Sequence, residues 1–129
     1  MPHLVLAGGL ELEAVVLPQE VQRWGRAVIK TEGSWSRRGA DALLVEGVVV
    51  ELVRPLHPVA LVAPHHGDTI VRLWPVAPVE RTRAVQRWLG LLALALQRQG
   101  AGPVKVTNIP QELWRDLGLA VSSALAEPG

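Results

Sequence analysis

Three ionisable side chains crowd into Pro64-His65-His66-Gly67-Asp68, inside a run that is otherwise almost entirely aliphatic. Two imidazoles and a carboxylate this close could exchange protons, or contribute ligands to a metal. Adjacent histidines on an extended strand point to opposite faces, so His65 and His66 could share a metal only within a turn. A hydrolytic zinc centre needs three protein ligands and an open position. His57 lies on the same stretch of chain, but about eight residues of strand at ~3.3 Å each would hold it over 20 Å away. The flanking runs HPVALVA and TIVRLWPV instead demand a β-hairpin turn, which places His65 across from Asp68 within reach of a carboxylate–imidazole contact. The turn is expected to be structural, and no metal or cofactor is implied.

A second candidate is the glycine-bounded loop holding Ser34-Trp35-Ser36-Arg37-Arg38. An indole beside two guanidinium groups offers a stacking face together with forks for phosphate. Arg26 and Lys30 on a neighbouring strand could extend it. The competing reading is a surface loop whose tryptophan folds back onto the core. Glu11 and Glu13 lie two apart and could divide acid and base roles, but exposed strand-face carboxylates do not separate their pKa values. None of the four serines sits in a Gly-x-Ser-x-Gly elbow, and there is no cysteine, which removes thiol nucleophiles, thiolate metal sites and disulfides. No catalytic residue is assigned.

The elements that must position these groups follow from the hydrophobic pattern. A chain of 129 residues fits one domain. Residues 3–17 read as a first hairpin turning at Gly8-Gly9, and residues 17–25 as a short helix opened by Pro18 and closed by Gly25. Pro110-Gln111-Glu112 repeats the Pro18-Gln19-Glu20 pattern, the same helix-start grammar used twice. Residues 26–32 alternate as a strand. Residues 41–54 form either one long strand bent at Gly47 or a hairpin there. Residues 58–64 and 69–75 pair around the histidine turn, with Val62 against Val71 and Ala60 against Leu73. The opposite face of that hairpin carries Val59, Leu61, Ile70 and Trp74, broken only by Arg72, so both faces require cover, from within the fold or from a partner.

After Pro75 and Pro78, residues 79–99 are the clearest helix, with Val85, Trp88, Leu89, Leu92 and Leu96 on one stripe. Leu91 and Leu94 fall off that stripe, which calls for a second neighbour and marks them as candidate interface residues. Val104-Lys105-Val106 reads as an edge strand. Asn108 is placed as the cap of a last helix over residues 110–126, followed by a frayed Glu127-Pro128-Gly129 end. Strands filling the first two-thirds and helices the last third predict an α+β domain: a largely antiparallel sheet packed against two C-terminal helices.

A formal charge of +1 supplies no strong field toward nucleic acid or membrane. No apolar run approaches the ~18–20 residues that span a bilayer, and no basic leader precedes the short apolar N-terminal stretch, so a cytoplasmic location is expected. The lone Met1 and Asn108 and the missing cysteine suit a heat-adapted, thermophilic protein. The leading expectation is a non-catalytic binding module that self-associates as a homodimer or higher oligomer. A single-stranded nucleic-acid binder and a small metal-dependent enzyme built on the histidine turn are the alternatives.

Overall fold

The computed structural model describes residues 1–36, 39, 41–51, 53–75 and 80–126. The strands are β1 (His3–Leu6), β2 (Val21–Trp24), β3 (Ala27–Trp35), β4 (Leu43–Glu51), β5 (Arg54–Leu56), β6 (Val59–His65), β7 (Asp68–Leu73) and β8 (Val104–Thr107). One long helix, α1 (Arg83–Gln97), precedes β8, and a single turn of helix, α2 (Ser123–Ala126), closes the described chain. The strands form one sheet in the order β2-β3-β4-β6-β7-β1-β8, with β5 pairing the end of β4 beyond β6. Every strand pairing in it is antiparallel. The α+β class and the largely antiparallel sheet are as expected. Among the described residues no helix is long and apolar enough to cross a membrane.

The β6–β7 hairpin follows its predicted register, with Val62 opposite Val71, Ala60 opposite Leu73 and His65 opposite Asp68. Its two-residue turn places His66 (φ 49°) and Gly67 (φ 83°) in the left-handed region, as the tightest hairpin turns require. Of the two readings of residues 41–54, the single strand is correct, and the chain reverses only after Glu51. Gly47 is there for packing. A Cβ on it would lie 2.6 Å from the indole of Trp88, which rests on the strand at this point and donates from Nε1 to Thr31 Oγ1 (3.1 Å).

Three local readings are overturned by longer-range pairing. No hairpin forms over residues 3–17. β1 instead enters the sheet between β7 and the edge strand β8, because Leu4 and Leu6 face the core while Val5 is also buried on the other side. The chain then turns at Gly8, and Leu12–Ala14 form one 3-10 turn that drops Leu12 into the core. Glu11 and Glu13 are exposed on that turn and do not share a strand face.

Residues 21–24 are strand and not helix, since Gln22 and Trp24 reach inward to a buried arginine while Val21 and Arg23 point out. The last helix breaks into 3-10 turns at Gln111–Leu113 and Arg115–Leu117, then Gly118 (φ 79°), then α2. That break lets residues 120–122 run beside β8: Val104 N donates to Ala120 O and Ser122 N to Val104 O. Asn108 caps no helix. Its Oδ1 accepts from His3 N (2.9 Å) and its Nδ2 donates to Met1 O (2.9 Å), fastening the start of β1.

α1 starts at Thr82, whose Oγ1 accepts from Val85 N (3.2 Å), and lies across one face of the sheet. The core between them contains Leu4, Leu6, Ile29, Val45, Val49, Val62, Val71 and Val104 from the strands, with Val85, Trp88, Leu89, Leu92 and Leu96 from the helix. The second neighbour that the helix pattern demands is the chain's own C-terminal segment. Leu113 and Trp114 are buried, and a Cβ on Gly90 would meet Leu117 at 3.1 Å. Residues 76–79, where the helix was expected to begin, lie outside the described residues, as do Glu127, Pro128 and Gly129.

Candidate functional site

The strands alternate, so the residues between the core positions make a second, outward face. Following the register from strand to strand, Trp35 pairs with Leu44, Leu44 with Leu61, Leu61 with Arg72, and Arg72 with His3. The neighbouring row runs Ala63, Ile70, Val5, Val106. Val28 pairs with Val50 and Lys30 with Val48 on the same side. Apart from Val5 and Val106, the aliphatic residues of these rows are half-buried, and no residue of either row packs into the core beneath α1. This face is therefore apolar over β3, β4 and β6, and turns basic and histidine-rich over β7, β1 and β8.

At the basic end a groove of about 480 Å³ opens between the histidine turn and β8, lined by His3, His65, His66, Arg72 and Lys105 above an aliphatic floor. The expected contact between His65 and Asp68 is replaced by a stronger one. Lys105 Nζ donates to Asp68 Oδ2 (2.8 Å), and Gly8 N donates to Oδ1 (3.0 Å). These two donors, the Lys105 ammonium first, hold the Asp68 carboxyl below its ordinary pKa. Thr69 Oγ1 donates to Gly8 O (2.9 Å), so the glycine turn after β1 is bolted to the histidine turn. The rings of His65 and His66 meet edge to face at 4.6 Å. His3 Nδ1 lies 3.0 Å from Met1 O. Arg72 lies over the Trp74 ring, its Cζ 5.0 Å from the centroid, and among the described residues no carboxylate pairs with it.

His3, Arg72 and Lys105 were not singled out as site residues from sequence. Each comes from a different strand: Arg72 from β7 of the hairpin itself, and His3 and Lys105 through the insertion of β1 between β7 and β8. His57 is exposed between β5 and β6 and does not line the groove. Among the described residues no three metal-ligating side chains converge.

The other predicted residues separate. Trp35 ends β3 half-exposed (51%) on the outward face, whereas Arg37 and Arg38 lie outside the described residues. Leu91 and Leu94 come together on a groove of about 600 Å³ between α1 and the edge strand β2. Leu91 also packs on the core, so its position off the main stripe is used within the chain.

The buried charge in that second groove, Arg87, is fully committed. Arg87, buried at 4% exposure, donates to Asp116 Oδ1 (2.8 Å) and Oδ2 (3.0 Å), to Leu113 O (3.1 Å) and to Gln22 Oε1 (3.1 Å), and lies over Trp24. Its guanidinium, donating to Asp116, holds that carboxyl below its ordinary pKa. This is a structural fork-to-fork pair that ties α1 to β2 and to the C-terminal turns. An arginine on the stripe-bearing helix gave no sign of it, because the partners lie 65 residues before and 29 after.

Comparison of the chain with protein-family models, curated proteins and solved structures finds no match.

Proposed function

We propose that this protein is a self-associating binding module whose copies pair through the outward face of the sheet. The observation that carries this reading is the half-buried aliphatic surface of Val28, Leu44, Val48, Val50 and Leu61, which among the described residues belongs to no core. An antiparallel sheet with one solvated face ordinarily alternates apolar with polar residues, and this one does not. Two such faces stack at a separation of ~10 Å, the spacing of a β-sandwich.

The size is adequate. From β2 to β6 the face is about 15–20 Å wide and up to ~30 Å long at standard strand spacing and rise. That gives roughly 500 Å² on each copy and about 1,000 Å² in all, the lower bound for a specific interface. The charges on it are also self-complementary. Lys30 and Glu46 share this face with opposite signs, so a two-fold arrangement can set each against its counterpart.

Light scattering on the purified chain at micromolar concentration tests the proposal. A dimer is expected, and Leu61→Glu should return it to monomer with its circular dichroism spectrum intact. A wild-type monomer, or a Leu61→Glu variant that still dimerises, rejects this interface.

A second reading takes the same surface as a platform for single-stranded nucleic acid, supported by half-exposed Trp35 on the same face as Lys30. Stacking on an indole is worth about 1–3 kcal/mol per base. The two readings compete for one surface. An oligonucleotide that quenches tryptophan fluorescence and dissociates the dimer would favour the platform; a dimer indifferent to oligonucleotide at low salt favours self-association.

A further inference from the structure

We infer that the groove between the histidine turn and β8 binds an amphipathic oxyanion, a small apolar body bearing one phosphate or carboxylate. The volume of about 480 Å³ lies within the range of small-molecule sites. The floor is apolar and set by register: Ile70 pairs with Val5, and Val5 with Val106, making one aliphatic line across three strands.

The anion end is assigned by Arg72. Lys105 is already committed to Asp68, a carboxylate kept charged by that ammonium and by the Gly8 amide, so the pair adds little net charge. Arg72 has no carboxylate partner among the described residues, and its Cζ lies 5.0 Å from the centroid of the Trp74 ring. A planar guanidinium with no carboxylate partner among the described residues can present two parallel N–H donors to an oxyanion.

The imidazoles supply the rest. The register sets His3 beside Arg72. His3 lines the groove with its Nδ1 3.0 Å from Met1 O. His65 and His66 stand at the mouth on a turn whose backbone is anchored through Asp68 and Thr69. The Asp68–Lys105 pair forms the opposing wall and orders β8 against the turn. A bare anion would use only the arginine end of this groove, and a bare hydrocarbon only its floor.

Titration calorimetry with three probes, octyl phosphate, octanoate and inorganic phosphate, tests the inference and distinguishes phosphate from carboxylate. At least one of the two amphiphiles should bind at least tenfold more tightly than inorganic phosphate, and the tighter amphiphile identifies the headgroup. Arg72→Gln should weaken that amphiphile at least tenfold. Val106→Glu, at a position that is 52% exposed and outside the core, should do the same by setting a carboxylate in the groove. Both variants should keep the wild-type melting curve and, by light scattering, the wild-type oligomeric state, so that this result stands apart from the dimer test. Inorganic phosphate binding as tightly as both amphiphiles overturns the inference. So does saturation by none of the probes at millimolar concentration, or unchanged binding in the Arg72→Gln and Val106→Glu variants.

Discussion

The two faces of the sheet are built from nearly the same residue types but have different fates. On the inner face Val45, Val49, Val62 and Val71 have no exposed surface, because α1 and Trp88 cover them. On the outer face Leu44, Val48 and Leu61 stand one residue away from Val45, Val49 and Val62 along the same strands, and among the described residues no core includes them. The difference cannot come from strand propensity, which Val and Leu satisfy equally on either side. It comes from what the chain supplies as a second layer: one long helix, enough for one face. Among the described residues the outer face has no such layer, and this contrast is what the proposed pairing of copies rests on. The outer face also divides, since its β7–β1–β8 end exchanges aliphatic residues for arginine, lysine and histidine around a groove. One surface therefore carries both the zone proposed for a copy of the chain and the zone inferred for a ligand.

The largest expected effect breaks the inner face. Trp88→Ala removes a fully buried side chain and should cost about 3–5 kcal/mol in denaturant unfolding. Leu61→Ala on the outer face, measured where the chain is monomeric, should cost less than ~1 kcal/mol. Equal losses would mean that the outer face is packed within the chain and the comparison fails. Gly47 sharpens it. Gly47→Ala alone forces a methyl against the indole and should cost roughly 1–3 kcal/mol by overpacking. In the Trp88→Ala background the same change enters vacated space, so the two effects should be strongly non-additive. Additive values would show that Trp88 does not rest on Gly47.

What could be read in advance depended on how local the deciding interaction is. The β6–β7 hairpin was legible to the residue, because a two-residue turn between apolar strands leaves one register. The stripe of α1 was legible for the same reason, since 3.6-residue spacing is a local property. The segments at Pro18 and Pro110 carry the same helix-start residues, yet one becomes a strand and the other a pair of 3-10 turns. There, edge pairing to β3 and a bridge to β8 outweigh propensity. The candidate site divides likewise. His65, His66 and Asp68 are neighbours in sequence and were visible; His3 and Lys105 join them only through the insertion of β1 between β7 and β8. Leu91 and Leu94 were legible as apolar positions off the stripe of α1, whereas nothing in a helical wheel shows that the C-terminal turns pack against that helix beside Leu91.

The smallest expected effect concerns the ion pair that walls the groove. Asp68 has its folded pKa lowered by Lys105 and by the Gly8 amide, so its contribution to stability has a definite sign. Above the ordinary carboxylate range, near pH ~4, both the folded and the unfolded chain hold Asp68 charged, and the full contribution is present. As the pH falls through that range the unfolded chain takes up a proton before the folded one does. Stability therefore declines, and the contribution is gone once the pH lies below the folded value as well. Asp116, lowered by Arg87, adds a loss of the same sign at the other end of the molecule. The difference between wild type and Lys105→Met isolates the groove, because the methionine keeps the stem of the side chain and removes its ammonium. The melting temperature of wild type should fall more steeply than that of Lys105→Met between about pH 5 and pH 2, and the two curves should converge at the acid end. Parallel curves would mean that Lys105 does not hold Asp68 in solution. The groove would then lack its ordered wall, and the contrast between an apolar zone and a built binding zone would lose its structural basis.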